Sequence, residues 1–402
     1  MKQKVIIIGG GAAGFFAAIT LAEANPDLEV TILEKAGKVL QKVKVSGGGR
    51  CNVSHACFTP KELVEFYPRG KKELLGPFHQ FMTGDTMEWF ENRGVTLKIE
   101  EDNRIFPVSD SSQSIIDCLT ENAEKNGVIL KLNQNVKRID KTETQFIIET
   151  ATDEFRADKL LIASGSNEKI WGLIAKLSHK IIDPVPSLFT FKINDDRIKE
   201  IPGVSVANAS VKLIDSKFET QGPVLITHWG LSGPAILKLS AFGALFLAEK
   251  HYQYQVKVNW LSKSLDTVLH HLQILKRENP KKQVVLKSFF KDIPKRLWEN
   301  LVLAASIGHD QRWADLSNKQ LNHLANQLTN SVFNAYGKTT FKEEFVTAGG
   351  VDLKEIDFKR FESKIHKDLF FAGEVLNIDA VTGGFNFQNA WTGGYIAGKS
   401  MV

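Results

Sequence analysis

VIIIGGGAAGFFAAITLAEANPDLEVTILE, residues Val5 to Glu34, decides the fold. Val5 to Ile8 is an apolar, β-branched run with no polar break, the pattern of a parallel strand buried on both faces. Gly9, Gly11 and Gly14 follow in G-x-G-x-x-G spacing. The first glycine permits a tight turn, the second lets backbone approach a pyrophosphate, and the third allows the helix to pack close on the strand. A helix is predicted from about Ala12 to Ala24, presenting unpaired N–H groups and its positive dipole end to the phosphates. Pro26 and Asp27 stop it, and Leu28 to Leu33 supply the next strand. Glu34 falls 20 residues after Gly14, where a carboxylate holds both hydroxyls of an adenosine ribose. That favours FAD or NAD over NADP, whose 2′-phosphate a carboxylate repels. The competing reading is a glycine-rich turn that binds nothing.

The chain has 402 residues, which suggests two or three domains at about 150 residues each. Its composition is that of a soluble globular protein with ample apolar content for a core. No apolar run reaches the ~18 residues of a membrane helix, so no membrane partner is expected. The lysines before VIII imitate a signal peptide, but the glycine fingerprint occupies that stretch and must be kept. Cys51, Cys57 and Cys118 form no metal spacing and cannot all pair, which suits a reducing cytoplasm. The net charge of +5 is unevenly spread. Ser187 to Ala335 holds 19 Lys+Arg and 12 Asp+Glu, a net of +7, so the basic excess belongs to the middle of the chain.

A second glycine cluster, Ser46-Gly47-Gly48-Gly49-Arg50-Cys51-Asn52, follows the first βαβ unit closely. Its glycines permit backbone approach to a ligand, and Arg50 adds a fixed cation for phosphate or a reduced flavin. A flexible surface loop is the bland alternative. Residues 60 to 100 read as helices, Ser114 to Lys125 as an amphipathic helix, and Val128 to Leu132 as a strand. Strands near Gln145 to Thr150 and Glu154 to Arg156 form a hairpin. Asp158 to Gly165 is another buried strand that runs into small residues. Leu188 to Ile193, Ser205 to Ile214, Phe218 to Thr227 and Tyr252 to Trp260 then alternate apolar and polar, as antiparallel half-buried strands do. Leu265 to Leu275, Pro294 to Ala305 and Lys319 to Leu328 read as helices. Near the C-terminus, Asp368 to Ala372 is a strand ending in Gly373-Glu374, and Thr382 to Asn386 precedes a helix to about Ser400. The glycines Gly393, Gly394 and Gly398 in that helix mark close packing against something flat or another helix.

These motifs bring a family into view. SGGGRCN at Ser46 to Asn52, NRIFPVSD at Asn103 to Asp110 and THWGLSGPAIL at Thr227 to Leu237 resemble the BaiN-like (YhiN-like) flavoproteins. These are also called aminoacetone-oxidase-family FAD-binding enzymes. VTAGGVDL at Val346 to Leu353 and FAGEVLNIDAVTGGFNFQNAW at Phe371 to Trp391 extend the resemblance over almost the whole chain. It implies an α/β fold: a glutathione-reductase-like, FAD-binding Rossmann domain with an inserted β-rich plus helical domain. The expected domains are residues 1–186 and 338–402 for FAD, with 187–337 inserted and its helical part at about 264–330. The resemblance implies that Gly9, Gly11, Ala12, Ala13 and Gly14 hold the pyrophosphate, and Glu34 with Lys35 the adenosine ribose. Lys42, Gly48, Gly49, Arg50, Cys51 and Asn52 would lie along the cofactor, as would Val136, Ala163, Ser164 and Gly165. Gly373 and Glu374 correspond to the second FAD motif. Gly383, Gly384, Phe385 and Asn386 would set a helix N-terminus beside flavin N1 and O2. A positive dipole there stabilises the anionic reduced flavin.

The flavin carries the redox chemistry, which makes the chain an oxidoreductase without naming its substrate. With a single G-x-G-x-x-G, NADH or NADPH must visit the flavin transiently or another donor must serve. Cys51 and Cys57 are six apart, outside the usual redox-pair spacings. Cys51 reads as a small packed residue beside an arginine, though Arg50 could lower its pKa if both lay near the ring. His228, in THWGLSGP, is a candidate general acid, with a turn-orienting histidine as the alternative. Asp379 is a candidate proton donor, with turn capping as the alternative. Three functions fit. The first is a reductase that takes electrons from NAD(P)H and saturates an activated C=C or C=O bond of a small molecule, and the second an oxidase of a small amine-type metabolite. The third is an RNA-binding flavoprotein that reduces a nucleobase. It is motivated by Lys276, Arg277, Lys281, Lys282, Lys287, Lys291, Lys295 and Arg296, interleaved with Phe289, Phe290 and Trp298. The bland reading of that stretch is a solvated helical face with its core aromatics.

Overall fold

The computed structural model describes residues 2–339 and 346–402, and of Lys338 and Thr339 the backbone only. The chain divides into two compact units, Met1–Pro184 with Thr347–Val402, and Val185–Val346.

The first unit is built on a seven-stranded sheet. Its order is Ile356–Asp357, Glu362–Ser363, Leu369–Phe371, Lys159–Ile162, Lys4–Ile8, Glu29–Leu33 and Ile129–Lys131. The five strands from Leu369–Phe371 onward run parallel, with Val5 opposite both Val30 and Lys159, and Leu160 opposite Leu369. The edge strand Ile129–Lys131 is exposed at every position, whereas Val5 to Ile8 and Leu160 to Ile162 are buried. A continuous apolar run therefore marks the doubly covered centre of the sheet. Helix Ala12–Ala24 packs against the C-terminal helix Phe385–Ser400. A Cβ on Gly394 would come 2.7 Å from the Ala13 carbonyl oxygen, and one on Gly398 2.8 Å from that of Ala17. The helix-breaking glycines of the last helix thus record a close helix–helix crossing. The unit also holds two small antiparallel three-stranded sheets. One joins Ser54–His55, Arg104–Pro107 and Leu97–Ile99; the other joins Arg138–Lys141, Phe146–Glu149 and Glu154–Ala157. The expected hairpin near residue 150 has gained Arg138–Lys141 as a third strand.

The second unit is a closed barrel. Its strands run Thr190–Ile193, Gly230–Ser232, Glu219–Thr227, Ser205–Leu213, Gln253–Asn259 and Ser331–Thr339. Closure removes the unpaired edges an open antiparallel sheet would expose. Helices Leu265–Glu278, Lys295–Ala304 and Asn318–Thr329 lie between Gln253–Asn259 and Ser331–Thr339 in the chain and share one core with the barrel, joining Val256, Trp260, Trp298, Leu301, Trp313 and Leu324. No helix of the described residues is long and apolar enough to cross a membrane.

Candidate active site

The glycine turn at the carboxyl end of Lys4–Ile8 is where the site begins. A Cβ on Gly14 would lie 2.0 Å from the Gly9 carbonyl oxygen, so only glycine lets the helix approach the strand. Gly11, the N-cap of Ala12–Ala24, has no atom within 4 Å of a would-be Cβ and no side chain caps the helix. Open space in front of uncapped N–H groups is what a pyrophosphate needs. At the end of the neighbouring strand, the Glu34 carboxylate accepts from Gly10 N at 2.8 Å and Ala36 N at 2.9 Å. Two backbone donors fix its orientation and leave lone pairs for ribose hydroxyls. Gly9, Glu34, Lys35, Val136 and Ser164 line one cavity together with Asn167 and Ile170. The Ser164 hydroxyl is buried without a hydrogen-bond partner, a donor awaiting an acceptor.

The second FAD motif meets the first. A Cβ on Gly373 would be 3.2 Å from that of Ala13. Glu374 is ion-paired with Lys42, and Gly165 lies beside both. Ala163 donates to the Ile8 carbonyl at 2.8 Å. The third convergence joins residues about 330 positions apart. The Asn52 side chain, with its amide set to satisfy both neighbours, accepts from Gly384 N at 3.0 Å and donates to the Ser54 carbonyl at 2.9 Å. Trp391 donates to the Val53 carbonyl at 2.9 Å, and Ser54 to Gln388 at 2.6 Å. A Cβ on Gly384 would be 2.5 Å from the Ser54 carbonyl oxygen, so the glycine turn and the SGGGRCN segment close on each other. Gly48 and Gly49, both at positive φ, have open space where a Cβ would point. Phe385 packs between Phe66 and His55, and Asn386 closes the turn through the Ala380 backbone.

The geometry decides four open readings. Arg50 is no free cation: it stacks on Phe106 at 3.9 Å and pairs with Glu100 at 2.6 Å and Asp110 at 3.3 Å. The Glu100 bond raises its pKa further, so the charge is neutralised within the protein. Cys51 is fully buried, and burial pushes its thiol up to about 12 rather than down. It is a packed, inert residue. Asp379 is fully buried with both carboxylate oxygens engaged by Arg69, a structural pair rather than a proton donor. Phe290 and Trp298 are buried in the core of the second unit and Phe289 packs against it; the basic stretch presents no aromatic stacking surface of its own. His228 lies in the second unit, exposed in the turn between strands Glu219–Thr227 and Gly230–Ser232.

One residue that sequence reasoning missed is His55. Its Nδ1 lies 3.2 Å from the Gly383 carbonyl oxygen, and its ring packs on Phe385 at 4.5 Å between centroids. Burial lowers its pKa, opposed by the Gly383 bond. Nothing around Ser54-His55-Ala56 advertises this, because the partner is 328 positions away.

A buried hydroxyl donor, a doubly oriented carboxylate and an uncapped helix start fit a dinucleotide with a flavin, so the fold and site define an FAD-dependent oxidoreductase. The chain matches the HI0933-like protein Rossmann domain family over residues 3–400, and it belongs to that family of FAD-dependent enzymes. It is 27% identical to a ribosomal RNA dihydrouridine synthase of Haemophilus influenzae, with 98% of each chain covered. It is 28% identical to an Escherichia coli protein of the same description, with 100% of this chain and 98% of that one covered. It is 26% identical to a 3-dehydro-bile acid delta(4,6)-reductase of Clostridium scindens, over 100% and 99%. Among solved structures, a 3-ketosteroid-delta4-(5alpha)-dehydrogenase from Rhodococcus jostii shares the fold at a TM-score of 0.52 and 12% identity, over 99% of this chain and 97% of that one.

Proposed function

We propose that the protein is a cytoplasmic, NAD(P)H-dependent reductase that saturates the carbonyl-conjugated C5=C6 bond of uracil in ribosomal RNA. The observation that carries this reading is the surface of residues 277–296. Arg277, Lys281, Lys282, Lys287, Lys291, Lys295 and Arg296 are all exposed, and no ion pair holds any of them among the described residues. Uncompensated cations at that density suit a polyanion and are superfluous for a small neutral enone. The relatives' names agree on the chemistry: dihydrouridine synthesis and enone reduction both add two hydrogens across a C=C bond conjugated to a carbonyl.

When bound, FAD supplies the two-electron relay between donor and substrate. In this reading the Gly9–Gly14 turn holds the pyrophosphate and Glu34 the adenosine ribose. Lys42 and Glu374 would lie along the cofactor, and the helix beginning at Phe385 would offer its N-terminus to the flavin. His55 would move the proton: Nδ1–H donates to the Gly383 carbonyl, and Nε2 takes up the H⁺ of the overall reaction from solvent and passes it to the substrate carbon. The reaction balances as NAD(P)H plus H⁺ plus uridine giving NAD(P)⁺ plus 5,6-dihydrouridine.

The test incubates holoenzyme with NADH or NADPH and ribosomal RNA from a strain lacking the gene, then reads nucleosides by mass spectrometry. Dihydrouridine formation is expected, and His55→Gln should cut the rate by about 100-fold. Flavin that either nicotinamide reduces, with RNA left unmodified and a small enone consumed, would overturn the RNA reading.

A further inference from the structure

We propose that the rim of the barrel is a stacking platform for unpaired bases of the RNA, formed by Trp229 and Tyr336 on either side of Lys192. This rests on the RNA reading above.

Among the described residues only three Phe, Tyr or Trp rings are exposed, Phe58 at 54%, Trp229 at 50% and Tyr336 at 46%. Two of the three share one rim of the barrel. The strand register places them there. Ile193 donates its N–H to the Trp229 carbonyl at 2.8 Å and pairs on its other side with Ala335, the residue before Tyr336. Two inter-strand spacings therefore separate the two aromatic positions, about 10 Å of backbone. Lys192 pairs with Gly230, next to Trp229, and its ammonium stands 5.5 Å from the centre of the Tyr336 ring.

Strand periodicity says these rings are not misplaced core. Along Ser331–Thr339, Phe333 and Ala335 point inward and are buried, whereas Asn334 and Tyr336 point outward. Water-facing positions have no packing need for large rings. The Trp229 backbone is held in the turn: its backbone N–H donates to Thr227 Oγ1 at 3.3 Å while its carbonyl accepts from Ile193. Exposed aromatic rings stack on any base, and the phosphate between two splayed bases would meet the lysine. The same unit carries the +7 excess of Ser187 to Ala335, which supplies the longer-range attraction.

The experiment titrates holoenzyme with oligouridylate and follows tryptophan fluorescence and affinity across a salt series. The other six tryptophans are at most 8% exposed, so Trp229 reports the surface. Oligouridylate is expected to quench emission, and Trp229→Phe to remove most of that quench. Trp229→Ala and Tyr336→Ala should each weaken binding roughly ten-fold with the salt slope unchanged. Lys192→Gln should reduce the slope by about one. If both aromatic variants bind as wild type while Lys281, Lys282 and Lys287 reversals weaken binding, the platform is wrong and the RNA reading stands. If wild type binds no RNA at low salt, both fail.

Discussion

The two units handle charge in opposite ways. In the first, three cations are paired within the unit: Lys42 with Glu374, Arg50 with Glu100 and Asp110, Arg69 with Asp379. What the glycine motifs would offer a cofactor is then mostly backbone N–H groups where no side chain fits, with the Glu34 carboxylate beside them. In the second, the cations of residues 277–296 stand exposed with no carboxylate holding them. A buried cofactor bound once needs shape and preorganised dipoles, because an unpaired charge beside it would carry a desolvation cost. A polymer bound and released on a surface is attracted by charges left to water and counterions. The cofactor half should therefore be sensitive to single atoms and indifferent to salt, and the basic half the reverse.

The largest effect expected is on the glycine framework. Gly384→Val and Gly14→Val each drive a side chain into backbone, and should yield protein with little bound flavin and a melting temperature many degrees lower. Absorbance of the purified proteins checks this, and a yellow, stable Gly384→Val would break the claimed contact with Ser54. Next is the buried pair. Asp379→Asn leaves Arg69 facing a neutral amide and should cost about 3–5 kcal/mol in denaturant unfolding. Wild-type stability would mean that the pair contributes nothing.

For the second unit, reversing Lys281, Lys282 and Lys287 to Glu should leave folding intact. RNA affinity should fall steeply, and the slope against salt by roughly three. Equal slopes would erase the contrast between the units. The smallest effect concerns Cys51. With its thiol pushed up to about 12, a thiol reagent should leave it unmodified in the native protein near pH 8. The sign for stability follows from the same shift. Below pH ~9 both states carry the neutral thiol. Between there and about 12 only the unfolded chain ionises, so stability is lost as pH rises. Rapid alkylation of native Cys51 at neutral pH would show a thiolate and refute its burial.

Much of the cofactor half is legible because its information is local. The strand of Val5 to Ile8, the glycine spacing and Glu34 lie within one βαβ unit, and each acts through φ, periodicity or distance along the chain. The alternating strands of the middle region read in the same way, yet Gly230–Ser232 is too short for a period to register. Ser331–Thr339 alternates inward Phe333 and Ala335 with outward Val332 and Asn334, but beside a helix its pattern is easily passed over. The aromatics of the basic stretch left two readings open for a physical reason. Phe290 and Trp298 look the same on a surface as in a core, and only the packing of their helices on the barrel makes them core.

The amino-acid order by itself determined the dinucleotide fingerprint, the alternation of the middle-region strands and the basic excess of that region. These follow from neighbours a few residues apart. Only the tertiary structure decided which charges are spent. Arg50 and Asp379 became structural because Glu100, Asp110 and Arg69 come back to meet them. His55 became a candidate because Gly383 does, and Trp229 and Tyr336 came to share a rim because the barrel closes. Burial and pairing belong to residues far apart in sequence, and no period along the chain encodes which of them will touch.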